Sequence, residues 1–268
     1  MTRRLEFTII AGPNGAGKSK LGPFYSSVKA FDGDQLAMKL RKEHPDWKDS
    51  WIEGTVISTL MKEKDEAILL KKNYAFETNF SSDLPVNLIK DFKNANYKIC
   101  LIYFGLSHII DSSTRVDQRH ILGGHNVNQD VIEYNFTEGI KRVKASLPLF
   151  ENILFIDGTS DFGDIVAIHI EKSGKHQITD HPAEWFDKYF KEAFDALVEG
   201  QEERLLQIII ATQFKSLYHI IHRRTSREEK HRGTDMYFGR IIGLSLTYRF
   251  GGYKTKQHEE VDTSRFGK

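Results

Sequence analysis

The feature that most constrains this chain is a glycine-rich segment near its N-terminus. Residues Gly12-Pro13-Asn14-Gly15-Ala16-Gly17-Lys18-Ser19 match the pattern G-x-x-x-x-G-K-S/T at every fixed position. The apolar run Leu5–Ala11 precedes the segment, and a helix can begin near Gly17. Glycines let the backbone turn so tightly that successive N–H groups point into one concavity the size of an anion. The N-terminus of the following helix adds positive potential at this concavity. The pattern predicts a phosphate-binding loop in which Lys18 contacts the β- and γ-phosphates of a nucleotide and Ser19 binds Mg²⁺.

Short apolar runs followed by turns recur along the first 170 residues. They are Leu5–Ala11, Val28–Phe31, Tyr74–Phe76, Ile99–Phe104, Ile153–Ile156 and Ile165–Ile170. Segments with helical spacing of apolar residues, such as Thr55–Leu70 and Val131–Val143, lie between most of them. Such alternation indicates a mostly parallel sheet with helices on both faces. We therefore predict an α/β fold, a three-layer P-loop NTPase sandwich, over residues 1–175.

The absence of other nucleotide-binding motifs limits which nucleotide the loop is expected to bind. The dinucleotide pattern G-x-G-x-x-G is absent because the loop glycines fall at 12, 15 and 17. The chain also has no LSGGQ-like signature of transporter-type ATPases and no N-K-x-D motif for reading guanine. ATP is therefore the expected nucleotide.

Acidic residues follow several of the predicted strands, where the site of a parallel α/β sheet lies. They are Asp32, Asp34, Glu77 and Asp157. Asp34 is either the general base of phosphoryl transfer or the N-cap of the next helix, and spacing alone leaves both open. Glu77 ends a buried strand, where an unpartnered carboxylate is costly, and this favours a functional role. Asp157-Gly158 is typical of an ordinary turn, although the strand before it also resembles a metal-binding strand.

Two arginines follow the fourth predicted strand. Arg115 and Arg119 are four residues apart, on one face of a helix, and the flexible segment Gly123–Asn126 comes next. The pair could be a solvated surface pair. Behind a phosphate-binding loop, it instead predicts cations that neutralise charge on the transferred phosphate.

Taken in order, these segments resemble the zeta-toxin family of P-loop kinases and its chromosomal relatives. The resemblance covers about residues 5–170. Its motifs are Gly12–Ser19, Phe31–Asp34, Phe76–Asn79, the segment from Arg115 to Val127, and Leu147–Phe150.

This resemblance implies ATP-dependent phosphorylation of a hydroxyl, in well-studied members that of UDP-N-acetylglucosamine. By position, Asp34 matches the proposed base, Glu77 a substrate-binding acid and Arg115 a phosphate-contacting arginine, while Arg119 matches less closely. The implied substrate-binding residues are Asp32, Glu77, Thr78, Asn79 and His125. Plasmid-borne toxins tend to read E-G-T where this chain reads Glu77-Thr78-Asn79, which leaves the acceptor sugar open. Nothing in the sequence indicates toxicity or an antitoxin partner.

The C-terminal hundred residues follow a different pattern. We predict a helical extension over residues 176–232, with apolar helices over Trp185–Val198 and Leu205–Ile221, and a tail over 233–268. Leu244–Phe250 alternates like a strand. The last 30 or so residues resemble the C-terminal end of bacterial outer-membrane barrel proteins. A single strand cannot form a barrel, so we expect no membrane association.

Charge is distributed unevenly along the chain. The total is +1, but residues 1–200 carry −4 and residues 201–268 carry +5. The basic segment supports an alternative hypothesis, a regulatory or nucleic-acid-linked P-loop ATPase, although a solvated surface is favoured over nucleic-acid contact. Cys100 is the only cysteine and no apolar run reaches the length of a signal peptide core, so we expect a cytoplasmic protein. The leading hypothesis is an ATP- and Mg²⁺-dependent small-molecule kinase.

Overall fold

The computed structural model describes residues 4–121, 128–160 and 162–200 and the isolated positions 203 and 207, all within the compact unit Met1–Thr212. His125, the predicted helix Leu205–Ile221 and the predicted tail lie outside the described residues. The predicted domain boundaries after residues 175 and 232 therefore stay predictions.

Seven strands and seven α-helices have both ends among the described residues, and residues 191–200 are also helical. The strands are β1 (Glu6–Ala11), β2 (Phe31–Asp32), β3 (Tyr74–Thr78), β4 (Lys98–Gly105), β5 (Asn152–Asp157), β6 (Asp164–Ile170) and β7 (Lys175–Ile178). The helices are α1 (Lys18–Tyr25), α2 (Gly33–Glu43), α3 (Asp49–Leu69), α4 (Leu84–Asn94), α5 (Ile109–Ile121), α6 (Gln129–Ser146) and α7 (Glu184–Tyr189). None of these helices is both long and apolar enough to cross a bilayer.

The strands form one sheet in the order β2-β3-β1-β4-β5-β6-β7. The first five are parallel, whereas β6 and β7 pair antiparallel with their neighbours. Strand β1 therefore lies at the centre, and the loop that follows it opens at the carboxyl edge beside the ends of β3 and β4. This mostly parallel sheet confirms the predicted P-loop NTPase class.

Side chains of the central strands alternate between two buried layers. In β1, Phe7, Ile9 and Ala11 face one layer, and Ile10 faces the other. The first layer includes buried residues of α3 and α4, and the second includes Leu21 of α1. Because successive strand residues point to opposite faces, near-continuous apolar strands need helices on both sides. The result is the predicted three-layer sandwich.

Helix α7 and the helical residues 191–200 belong to the predicted C-terminal extension and pack on this sheet. Trp185, Phe186, Phe190 and Phe194 are all at most 1% exposed and join the layer that contains Phe155. The ring of Phe155 lies between 5.0 and 6.2 Å from each of these four rings. This aromatic cluster makes α7 an integral part of the core.

Candidate active site

The loop between β1 and α1 depends on left-handed glycines. Gly12, Gly15 and Gly17 have φ angles of 147°, 74° and 88°, a region that side-chain-bearing residues rarely adopt. A Cβ at Gly12 would also lie less than 3.0 Å from the carbonyl oxygen of Phe104. The Ala16 N–H donates to the Pro13 carbonyl at 3.3 Å and closes the turn. The glycines of the motif therefore permit both the turn and its close approach to β4.

Lys18 lies across the loop and is buried, with 8% exposure. Its ammonium donates to the carbonyl oxygens of Gly12 at 2.8 Å and Pro13 at 2.9 Å. It also donates to Oδ1 of Asn79 at 2.9 Å, just beyond the end of β3. These three hydrogen bonds, all to neutral oxygen atoms, hold the ammonium against the phosphate-binding loop.

Ser19 connects the loop to two acidic residues. Its hydroxyl donates to Oε1 of Glu77 at 2.8 Å and makes a longer contact of 3.4 Å with Oδ2 of Asp32. Asp32 and Glu77 are side by side because β2 and β3 pair in register there. The predicted metal-binding hydroxyl therefore lies beside two of the predicted acids.

Burial raises the pKa of Glu77, and the nearby carboxylates of Asp32 and Asp34 raise it further. Lys18 and the Ser19 hydrogen bond act in the opposite direction. The site thus concentrates negative charge that a cation would offset. Among the described residues no group of three or more His, Cys, Asp or Glu side chains could hold a metal. A hydroxyl and two carboxylates nevertheless suit Mg²⁺, which binds few protein ligands and keeps waters or phosphate oxygens.

The N-cap of α2 is Asp32, so Asp34 is not the N-cap of this helix. Oδ1 of Asp32 accepts a hydrogen bond from the Gln35 N–H at 3.0 Å. Asp34 lies in the first helical turn, where its side chain is exposed. Asp34 does not cap the helix, but its carboxylate is near enough to Glu77 to raise the pKa of that residue.

Arg115 of α5 donates to three backbone carbonyls. They belong to Gly15 at 3.3 Å, Thr159 at 3.0 Å and Gly158. Arg115 thus joins the phosphate-binding loop to the segment after β5. Arg119 also lies on α5, but its side chain, like all of His125, is outside the described residues.

The two residues after Glu77 are engaged within the protein. Oγ1 of Thr78 accepts from the Phe80 N–H at 2.9 Å, in a tight turn where buried Phe80 has a φ of 60°. Asn79 contacts Lys18, as described above. Both residues were predicted to bind substrate, and the hydrogen bonds that the structure gives them are to other parts of the chain.

Helices α5 and α6 supply contacts that the sequence did not predict. The Ser112 hydroxyl donates to the Asn14 carbonyl at 2.6 Å. Nδ2 of Asn135 donates to Oδ1 of Asn14 at 3.0 Å, while its Oδ1 accepts from the Ser81 hydroxyl at 2.7 Å. Single polar residues on amphipathic helices carry no spacing signal, and only the packing of the helices reveals them.

A groove of about 1030 Å³ lies along α2 next to this cluster. Asp32 and Gln35 line it, and they also line the small cavity that contains Lys18, Ser19 and Glu77. Its basic lining residues are Lys29, Lys39, Arg41 and Lys42. Lys39 and Arg41 pair with Glu43 and Asp49, whereas no hydrogen-bond or ion-pair partner of Lys29 or Lys42 is found among the described residues.

Comparison with known proteins shows likeness of fold more than of sequence. No family model matches the chain. An uncharacterized protein of Haemophilus influenzae is 24% identical over 127 residues, which are 47% of this chain and 88% of that protein.

Among solved structures, a chain of the AvrRxo1-ORF1:AvrRxo1-ORF2 complex with sulphate ions matches 69% of this chain at 16% identity, with a TM-score of 0.50. The match spans 63% of that neighbour's length. A chain from the PezAT chromosomal toxin–antitoxin system of Streptococcus pneumoniae matches 77% of this chain and 87% of its own length at 16% identity, with a TM-score of 0.48. The likeness to the AvrRxo1 complex agrees with the fold derived from the sheet and the loop.

Proposed function

We propose that this protein is an ATP-dependent kinase that transfers the γ-phosphate to a hydroxyl of a small molecule. The main support is that the Ser19 hydroxyl contacts the carboxylates of Glu77 and Asp32 in the same small cavity that Lys18 lines. Phosphoryl transfer requires positioning and charge stabilisation more than covalent chemistry from the protein. A phosphate-binding loop, a buried cation and converging carboxylates are the parts that such a reaction needs.

The loop and Lys18 bind the phosphates of ATP. The left-handed glycines shape the backbone around an anion, and the helix N-terminus at Lys18 adds positive potential. The ammonium of Lys18 follows the β- and γ-phosphates through transfer and opposes the charge that develops on them.

Ser19, Glu77 and Asp32 would hold Mg²⁺, which when bound neutralises phosphate charge. Their oxygen atoms lie together, and the raised pKa of Glu77 reflects burial and neighbouring negative charge. This assigns Glu77 and Asp32 to the metal rather than to direct contact with the acceptor. Oxygen ligands of this number and kind are the ones that Mg²⁺ prefers.

Asp34 is the general base that receives the proton of the acceptor hydroxyl. It lies two residues beyond the Asp32 cap, and no hydrogen bond to its side chain is found among the described residues. A base must lie within hydrogen-bond reach of the acceptor, and Gln35, the residue next to Asp34 in the first turn of α2, lines both the groove and the Lys18 cavity.

The acceptor itself carries phosphate, as a UDP-N-acetyl sugar does. Lys29 and Lys42 line the groove, and Lys39 adds a third ammonium, which lies 3.8 Å from Oε1 of Glu43. Phosphate groups attract such cations, and the groove reaches Asp32 and Gln35, which also line the Lys18 cavity. For Asp34 to act on such an acceptor, the diphosphate must bind these cations with a sugar hydroxyl directed toward the start of α2.

Mass spectrometry of reactions with ATP, Mg²⁺ and a panel of acceptors tests this function. Nucleotide sugars should gain a phosphate, and the corresponding free sugars should react much less. Asp34→Asn should bind ATP normally and lose turnover by about 100-fold or more. Asp46→Asn, an equally exposed substitution with no contact to the site, is the matched control. Unchanged turnover in Asp34→Asn would exclude the base, and no phosphorylated product from any acceptor would exclude the kinase.

A further inference from the structure

Helix α6 contacts the candidate active site at two positions one helical turn apart. Asn135 bridges Asn14 of the phosphate-binding loop and Ser81 after β3. Gly139 faces the backbone of Asn79, and a Cβ at Gly139 would lie less than 3.0 Å from the Asn79 carbonyl oxygen. Only glycine allows α6 to come this close, so the position of the helix and that of Asn79 are tied together.

Asn79 is fixed from its other side by the turn that ends β3. Phe80 has a left-handed φ of 60° and no exposed surface, and its N–H is held by Thr78. A buried side chain in this conformation persists only where its surroundings enforce it. The Asn79 side chain thus extends toward Lys18 from a backbone held by β3 and α6.

An amide at this position orients the lysine without neutralising it. Oδ1 of Asn79 lies 2.9 Å from the Lys18 ammonium and accepts a hydrogen bond from it. A carboxylate would hold the lysine equally well but would cancel the charge that phosphate needs. An aliphatic side chain would leave the charge and remove this hydrogen bond, while the hydrogen bonds to the Gly12 and Pro13 carbonyls would stay.

We propose that Asn79 and Asn135 are positioning residues for phosphate transfer, and that both are set by helix α6. Asn79 holds the Lys18 ammonium where it meets the phosphates. Asn135 holds the loop through the Asn14 side chain, which is 6% exposed. This inference rests on the proposed function and replaces the predicted contact of Asn79 with substrate.

The test measures Mg–ATP affinity by calorimetry and turnover by ADP formation in four variants. Asn79→Ala and Asn135→Ala should each weaken ATP binding or turnover by about 10-fold, because a hydrogen bond that orients a charge or the loop is lost. Asn79→Asp should retain the lysine position and weaken ATP affinity more than Asn79→Ala does. Asn87→Ala, on the exposed face of α4, should match the wild type.

Thermal unfolding separates positioning from mere structural support. We expect Asn79→Ala to unfold within about 3 °C of the wild type while losing ATP affinity or turnover. Lower stability with unchanged affinity and turnover per folded molecule would overturn the inference, as would two alanine variants within twofold of the wild type. Gly139→Ala, if it folds, should weaken ATP binding or turnover like Asn79→Ala. A wild-type chain that binds ATP but phosphorylates no acceptor would defeat the kinase proposal alone, because the affinity comparison would still test the positioning.

Discussion

Replacing Trp185 by alanine tests whether α7, the helix after β7, is part of the folded core. The side chain is 1% exposed and packs among Tyr103, Phe155 and Phe190. Its Nε1 donates to Oδ1 of Asp157, at the end of β5, at 3.2 Å. The indole thus joins the C-terminal helix to the sheet edge next to the phosphate-binding loop.

The cost of Trp185→Ala follows from this burial. Removal of a fully buried tryptophan costs about 3–5 kcal/mol in lost transfer free energy and cavity formation. Asp157 keeps its hydrogen bonds to Thr159, so loss of the indole donor adds little. For a folded unit of this size, about 2–4 °C per kcal/mol converts the loss into a melting temperature lower by about 6–20 °C.

Differential scanning calorimetry on Trp185→Ala and Trp51→Ala provides the comparison. Trp51 is 60% exposed, so the same substitution there should lower the melting temperature by less than about 3 °C. A Trp185→Ala protein that melts within about 3 °C of the wild type would refute the inclusion of α7 in the core.

A double-mutant cycle with Gly105 sharpens this test. A Cβ at Gly105 would lie less than 3.0 Å from three atoms of the Trp185 indole. Gly105→Ala should therefore cost about 1–3 kcal/mol in the wild type through overpacking, and much less when Trp185 is already alanine. Equal costs in both backgrounds would show that the indole does not pack on Gly105.

Two further predictions concern buried titratable groups. Glu77→Gln should raise the melting temperature at pH 7 without Mg²⁺, because the raised pKa of the Glu77 carboxyl means that folding disfavours its charged form. This gain in melting temperature should shrink as the pH falls toward about 4, where the carboxyl is also protonated in the unfolded chain. The same melting temperature as the wild type at pH 7 would contradict the burial cost. Burial raises the pKa of Cys100 to about 12, so iodoacetamide at pH 8 should alkylate the native protein far more slowly than the urea-unfolded one. Equal rates by mass spectrometry would place Cys100 at the surface.

Apolar alternation made most of the sheet predictable from sequence. Buried strands such as Ile99–Phe104 need apolar residues on both faces, and that requirement is local and visible. The strand β7 was not predicted, since it overlaps the start of the predicted helical extension. The antiparallel direction of β6 was not predicted either, because a strand's direction depends on its connection rather than on its side chains. The packing of α7 on the sheet was not predictable, because it includes the contact of Trp185 with Gly105, which lies far away in the sequence.

The candidate site was predictable where a motif fixes the backbone. The motif Gly12–Ser19 predicted the phosphate-binding loop, and the ends of the predicted strands identified Asp32 and Glu77 as candidate site residues. The choice of N-cap between Asp32 and Asp34 could not be made from spacing, because both lie near the start of the same helix and only the folded backbone shows which carboxylate accepts from the Gln35 N–H. The contacts of Asn79 with Lys18 and of Asn135 with Asn14 join distant parts of the chain, and no spacing rule encodes them.

The most direct test of the central claim measures ADP, free phosphate and phosphorylated acceptor in one reaction of wild-type protein with ATP, Mg²⁺ and a nucleotide-sugar panel. A kinase built on Lys18, Ser19 and Asp34 should form phosphorylated acceptor in step with ADP, with little free phosphate, and Lys18→Ala should form neither product. ADP and free phosphate in equal amounts, independent of any acceptor, would contradict the kinase and favour the ATPase alternative.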